Sequence, residues 1–402
     1  MEKVLVFPGG KWQLPLVRRI KELGLFTVVV SPEENAPCKN ASDFFCQSDI
    51  FDIDNIERLA KDMGVTAIVS DECDIAMPVV AELGKRLALR TLTPKEAKLF
   101  TNKYMMRDFC VKHGIPVPEY RLCYTFDDAW DFFKEINKTI IIKPVDSNAS
   151  HGVFVINDED ELRKKFNESM KYSRAEKAII AERYLQGKEF TADGLKTKHG
   201  HCTLAVSKKK HFSHNSSIAK ELYFTYDDPD YKYDEIRKLT DKFVLESGLE
   251  FGLTHAEYKC EDGKYYLIEI AARGGGNLVS SVITHYLSGI NTYDHLIKTA
   301  IWGDTEANLI LAPGFEERCA ALVFFETPRE GIVSQIYGEE YLKNNELIRD
   351  YCFNFAIGDH ITDCVNDSVR IGYYIACAKS KYELDNLIHN VEKEVRIEVL
   401  DD

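Results

Sequence analysis

The spacing of Glu257 and Glu269 constrains this chain more than any other feature. The text runs His255-Ala256-Glu257-Tyr258-Lys259-Cys260, then Glu261-Asp262-Gly263-Lys264, then Tyr265-Tyr266-Leu267-Ile268-Glu269-Ile270-Ala271-Ala272-Arg273. Asp-Gly between aromatic and β-branched runs predicts a hairpin. Strand side chains alternate faces, so register decides what the acids do. A two-residue loop puts the two glutamates on opposite faces, whereas a three-residue loop, Asp262 to Lys264, pairs them directly. Opposed carboxylates repel, so a cation between them is the natural reason for such a pair. Hard oxygen ligands in small number suit Mg²⁺ that also carries phosphates. Arg273 then offers a planar fork for a phosphoryl or carboxylate group. The competing reading is an exposed hairpin with scattered charge.

A chain of 402 residues exceeds one ordinary core and predicts two or three domains. With 45% hydrophobic and 29% charged residues it reads as a globular protein. A formal charge of −14 argues against a nucleic-acid partner, which needs a basic stripe. No apolar run reaches membrane-spanning length, and Met1-Glu2-Lys3-Val4-Leu5-Val6-Phe7 opens directly into a strand pattern. Eleven cysteines without a C-x-x-C pair fit free thiols in a reducing compartment, so the expected location is the cytoplasm.

Residues 1–95 alternate strand and helix patterns, with strands at Val4–Phe7, Phe26–Val30 and Ala67–Val69, which predicts a small parallel sheet of Rossmann-like type. Thr93-Pro94-Lys95-Glu96 caps a new helix. Strand, helix, strand, loop, strand and helix follow to Tyr172, and from Glu189 to Ile270 the chain is β-rich around one helix, Tyr233–Ser247. A helix is expected at Leu278–Leu287. Residues 306–402 carry strands at Ala320–Phe325 and Val369–Ala378 and a final helix at Lys381–Val395. The fold class is α/β and α+β.

Lys143 ends the buried-strand run Thr139-Ile140-Ile141-Ile142, where an ammonium needs an anion. The loop Asp146-Ser147-Asn148-Ala149-Ser150-His151-Gly152 follows and returns into Val153–Ile156, either as a phosphate-covering flap or as a simple hairpin loop. Lys103 is a second candidate phosphate cation, though alone it reads as an ordinary helix-start lysine. Glu182-Arg183-Tyr184-Leu185 with Glu189 has the layout of a site reading a base edge and a ribose, a weak signal by itself. Gly274-Gly275-Gly276 ahead of a helix is an anion-site candidate, with a flexible connector as the alternative. His211 and His214 have poor metal spacing and read as part of a solvated loop.

The order of these pieces strongly resembles the ATP-grasp superfamily, most closely carboxylate–amine ligases with a biotin-carboxylase-like three-part layout. The resemblance implies an N-terminal pre-ATP-grasp domain over 1–95, the ATP-grasp domain over 96–305 and a small C-terminal α+β lid domain over 306–402. It implies that Lys103 and Lys143 bind ATP phosphates under Ser147, Ser150 and Gly152. Glu182, Arg183, Leu185 and Glu189 would hold adenosine, and Glu257 and Glu269 would ligate Mg²⁺. Arg273, with Lys143, would stabilise the reacting groups, and His255, Gly274, Gly275 and Gly276 would meet substrate. Ala271 stands where the family usually has a metal-binding Asn, so one or two ions are expected, with Mn²⁺ an acceptable substitute. Ala149 and His151 also depart from the usual flap.

The implied activity is attack of a carboxylate on the γ-phosphate of ATP, then displacement of phosphate from the acyl phosphate by an amine. The partners implied are small-molecule carboxylates and amines, amino acids foremost, with a homodimer as the family-like assembly and no nucleic acid or membrane. A biotin-carboxylase-like carboxylase and a non-catalytic ATP-binding protein are the alternatives.

Overall fold

The computed structural model describes residues 1–400 except 149, 216–217, 304–308 and 365–368. Four short, almost wholly apolar runs make the first sheet: β1 (Lys3–Val6), β2 (Phe26–Ser31), β3 (Phe44–Gln47) and β4 (Ala67–Val69). They pair in the order β3-β2-β1-β4, all parallel. Such sheets are buried on both faces, which explains the continuous apolar text. The edge strand β3 is only half buried and carries no alternation, so the sequence does not announce it. Helices Leu14–Glu22, Ile53–Met63 and Met77–Leu87 surround the sheet. Asp52 caps the second by accepting from Asn55 N, and Gly64 ends it at φ 67°. The turn after β4, Ser70 to Asp74, leaves the carboxyl end of the sheet, where open α/β sheets meet ligands.

The second sheet is antiparallel: β5 (Tyr120–Cys123), β6 (Ile140–Pro144), β7 (Phe154–Ile156) and β8 (Ile179–Arg183), in the order β5-β8-β6-β7. Helices Phe126–Ile136 and Glu159–Lys171 pack their apolar stripes, including Phe132, Leu162 and Phe166, on Ile140 and Ile142. Alternation then turns Ile141 and Lys143 to the other face, toward the central cleft.

The remaining strands are β9 (Lys188–Thr197), β10 (Gly200–His211), β11 (Ala219–Phe224), β12 (Gly252–Glu261), β13 (Lys264–Ala271), β14 (Cys319–Phe324), β15 (Gly331–Tyr337), β16 (Ile348–Phe353), β17 (His360–Ile361), β18 (Gly372–Ala378) and β19 (Arg396–Leu400). Eight of them form one antiparallel sheet, β13-β12-β9-β10-β11-β14-β18-β16, and β17-β15-β19 form a separate small sheet. Strands from the C-terminal quarter therefore extend the same sheet that carries Glu257 and Glu269. The boundary expected between 305 and 306 lies outside the described residues. The helix expected at Leu278–Leu287 is a π-turn, Val279–Ile283, followed by a short α-helix, Thr284–Ser288. Leu278 enters it with a left-handed backbone, φ 65°, a break of the kind found at functional sites. A further helix, Thr292–Trp302, is capped by Asn291 and packs beside β4. No helix among the described residues is long and apolar enough to cross a membrane.

Candidate functional site

The hairpin pairs Glu257 with Glu269, by a route other than the one expected. The loop has two residues, not three: Glu261 pairs with Lys264 across Asp262 (φ 52°) and Gly263 (φ 77°), the positive-φ geometry that Asp-Gly favours. Tyr258 still faces Leu267, so a regular ladder would place the glutamates on opposite faces. A β-bulge at Ile268 shifts the register by one and brings Glu269 opposite Glu257. The bulge is held by Arg107, whose Nη2 donates to Ile268 O at 2.7 Å.

Cations already sit on both acids. Lys103 Nζ donates to Glu269 Oε1 at 3.0 Å and to Ser147 O at 2.6 Å, while Lys209 Nζ lies 3.2 Å from Glu257 Oε1. Burial alone would raise the Glu257 carboxyl, but Lys209 and His255 outweigh it and hold it well below the usual range. Each glutamate keeps about a third of its side chain open to the cleft, 35% and 36%. Two opposed hard-oxygen groups facing a cavity fit a divalent cation. Among the described residues no three His, Cys, Asp or Glu converge to hold a metal alone, so the other donors would be phosphate and water oxygens, as Mg²⁺ prefers.

The cleft has a volume of about 360 Å³ and is lined by Lys103, Lys143, Ser147, Ser150, Glu182, Arg183, Leu185, Glu189, His255, Glu257, Glu269, Arg273 and Gly276. Gly152, Gly274 and Gly275 do not line it. Gly152 (φ 75°) serves the turn of the loop, since a Cβ there would come within 2.8 Å of Pro144. Ser150 is also left-handed, at φ 58°, and the neighbouring Ala149 lies outside the described residues. Ser147 Oγ donates to His151 O at 3.0 Å, closing the loop on itself.

Several residues expected to touch adenosine are engaged inside the protein. Glu182 is 1% exposed and accepts from Arg107 Nε at 2.5 Å and Lys143 Nζ at 2.6 Å. Its carboxylate therefore positions Lys143 rather than a base. Arg183 divides its guanidinium between Glu119 at 2.6 Å and Glu261 at 2.7 Å. Leu185 is buried at the cleft wall, and its carbonyl accepts from Lys259 Nζ at 3.4 Å. Glu189 lies among His211 (3.1 Å), Lys259 (3.1 Å) and Lys209 (3.5 Å). Burial opposes its ionisation, yet those cations, Lys209 foremost, bring its pKa down to about 2. An ionised acceptor beside the cleft suits paired hydroxyls.

The glycine run corrects the sequence expectation. Gly274 N donates to Asp71 Oδ1 at 2.7 Å and Gly275 N to Asp193 Oδ1 at 3.1 Å. Two of the three amides thus hold protein carboxylates instead of a substrate anion, and Gly276 alone reaches the cleft. Close approach requires these glycines: a Cβ on Gly274 would lie 2.4 Å from Ser280 Cβ, and one on Gly275 would lie 2.5 Å from Asp193 Oδ1. Gly275→Ala is expected to lower stability by about 1–3 kcal/mol through overpacking, read as a lower denaturant midpoint. An unchanged midpoint would show that this contact relaxes freely.

Arg273 forms a bidentate pair with Asp74, at 2.9 and 2.7 Å, and donates to Gly274 O at 2.8 Å. His255 Nδ1 lies 2.8 Å from Asp193 Oδ1 and Nε2 lies 3.6 Å from Glu257 Oε1. Burial opposes charging the ring, but Asp193 prevails and brings its pKa up to about 9. Sequence reasoning missed Arg107, Asp71, Asp74 and Asp193, because each acts on a residue tens to hundreds of positions away. It also took Lys209 and His211 for loop residues. They lie on β10, and their i, i+2 spacing, which puts both on one strand face, was the available signal.

The sequence family described as ATP-grasp domain matches residues 136–282, which contain the flap, the Glu182 to Glu189 segment and the glutamate hairpin. The chain belongs to the ATP-grasp superfamily. A second family, L-amino acid ligase C-terminal domain 2, matches residues 323–400 of this ATP-grasp protein. It is 25% identical over 187 residues to the formate-dependent phosphoribosylglycinamide formyltransferase of Sulfurisphaera tokodaii, a stretch covering 46% of this chain. That alignment spans 47% of the relative, so the chain covers about half the length of this curated relative. The L-amino acid ligase from Bacillus licheniformis has the same fold, with a TM-score of 0.81, 19% identity, and coverage of 100% of this chain and 99% of that one. The biotin carboxylase domain of the Hydrogenobacter thermophilus 2-oxoglutarate carboxylase follows at 0.78, with 17% identity and coverage of 99% and 91%.

Proposed function

We propose that this ATP-grasp protein is an ADP-forming carboxylate–amine ligase that joins amino acids or related small carboxylates and amines through an acyl phosphate. The observation that carries this reading is the convergence of Glu257, Glu269, Lys103, Lys143 and Arg273 on one cleft. The match of residues 323–400 to an L-amino acid ligase domain supports amino acids as substrates. Eleven unpaired thiols suit a reducing cytoplasm.

Glu257 and Glu269 would hold Mg²⁺, which when bound neutralises phosphate charge and polarises the transferred group. Lys143, fixed by Glu182, presents an ammonium that a phosphate oxygen can accept from without reorganisation. Lys103 Nζ bridges Glu269 and the flap carbonyl of Ser147, so it links phosphate binding to the position of the loop. Phosphoryl transfer proceeds through a loose transition state in which charge spreads over equatorial oxygens, so alignment and positive charge do most of the catalysis. Arg273 is held by Asp74 at the substrate end, where its fork can receive the carboxylate and then the acyl phosphate. Closure of the 146–152 loop keeps water from that intermediate.

The test is ADP and phosphate release from ATP and Mg²⁺ against amino acids singly and in pairs, with mass spectrometry of products. Release that requires an acid and an amine together, with a condensed mass, is the expected outcome. ATP binding without release across all pools would overturn the reading.

A further inference from the structure

Beyond the residues assigned above, the cleft reaches a wall made by the strands joining the middle and end of the chain. Leu222 on β11 and Leu322 and Phe324 on β14 line it, together with Ala219 and Val279, all buried. One cation stands in this apolar surface. Arg370, just before β18, lines the same cleft and lays its guanidinium over the Phe324 ring, 3.6 Å from the centroid. Its Nη2 donates to Ala219 O at 3.1 Å. The stacking and the carbonyl bond fix the plane of the fork before any substrate arrives, which reduces the ordering cost of each bond it forms.

A guanidinium is always charged, and an apolar surface is a poor place for it without an anion to receive. The phosphate end of the cleft has its own cations in Lys103 and Lys143, and Arg273 is engaged by Asp74. We propose that Arg370 is a specificity-determining residue that binds the free carboxylate of the second substrate, whose apolar side chain lies against Leu222, Leu322 and Phe324. This rests on the ligase reading above and narrows it: the amine is carried by an α-amino acid with an aliphatic or aromatic side chain, not by a simple amine or an amide. The nucleophile is then anchored at its carboxylate while its amino group faces the acyl carbon.

The experiment compares L-leucine with L-leucinamide, which has the same side chain and amine but no negative charge. Binding of each to the full chain with Mg²⁺ and ADP is measured by calorimetry, for wild type, Arg370→Gln and Arg370→Lys. A charge-assisted bidentate contact predicts that wild type binds leucine about ten- to hundredfold more tightly than the amide. Arg370→Gln is expected to erase that preference, and Arg370→Lys, which keeps the charge but not the fork, to retain part of it. Equal binding of acid and amide by wild type overturns the proposal, as does a preference unchanged in Arg370→Gln or binding of neither probe. The wild-type comparison stands by itself if a variant fails to fold. Phosphate release run in parallel separates the two readings. Arg370-dependent leucine binding without release under any substrate pair overturns the ligase reading alone, whereas ligation indifferent to Arg370 overturns this one alone.

Discussion

Glu269→Gln is expected to lower the rate of substrate-dependent phosphate release by about 10²- to 10³-fold, the range seen when one preorganised charge-stabilising group leaves an active site. The substitution keeps shape and volume, and Lys103 retains its bond to Ser147 O at 2.6 Å, so the cleft should stay assembled. What disappears is one of the two negative charges facing each other across the β12–β13 pair. The Mg²⁺ concentration needed for half-maximal rate should rise with the loss of rate, because a neutral amide is a weaker ligand for a hard cation. Circular dichroism and the unfolding midpoint should match wild type. A purified variant with the wild-type rate and metal dependence would remove the glutamate pair from the mechanism.

The second large effect is on stability. Glu182→Gln removes the carboxylate shared by Arg107 and Lys143, whose side chains are 0% and 8% exposed. Breaking a buried pair by taking away one partner leaves uncompensated charge and costs about 3–5 kcal/mol, read as a fall in the denaturant midpoint. The same group gives the protein an acid limb. Burial opposes ionisation of Glu182, but Arg107 and Lys143 prevail and lower its pKa from 4.5 to about 2. Its contribution is therefore complete above the unfolded-state value and is lost as the pH falls from about 4.5 toward 2. In Glu182→Gln that segment of the stability–pH curve should flatten. A variant as stable as wild type, with the same acid limb, would show that the triad contributes little.

What the sequence discloses divides along the distance over which each interaction acts. Helices Phe126–Ile136 and Tyr233–Ser247 are read to their ends, since period and caps lie within the segment. The glutamate pairing is read correctly for the wrong local reason: Asp-Gly points to the turn, but the Ile268 bulge depends on Arg107, more than a hundred residues earlier. The three glycines read as an anion cradle because nothing nearby reveals Asp71 and Asp193, which occupy two of their amides. Glu182 reads as a ligand contact because a strand-end acid looks the same whether it faces a base or a buried arginine. Lys209 was legible in principle, since strand alternation alone puts it on the face of His211, beside Glu189 and Glu257.

The pairing of β11 with β14, Glu221 opposite Val323 through Phe224 opposite Ala320, bears on how such chains can recombine. The segment matching the L-amino acid ligase C-terminal family begins at residue 323, inside β14. A chimaera joined there would splice one strand from two parents and must conserve both its hydrogen-bond register and its inward apolar positions. Deleting everything from that strand onward would leave β11 as a bare edge, open to pairing with other chains. Exchange of the C-terminal third among relatives is therefore limited to donors whose β14 fits the recipient's β11, so the two segments should diverge together.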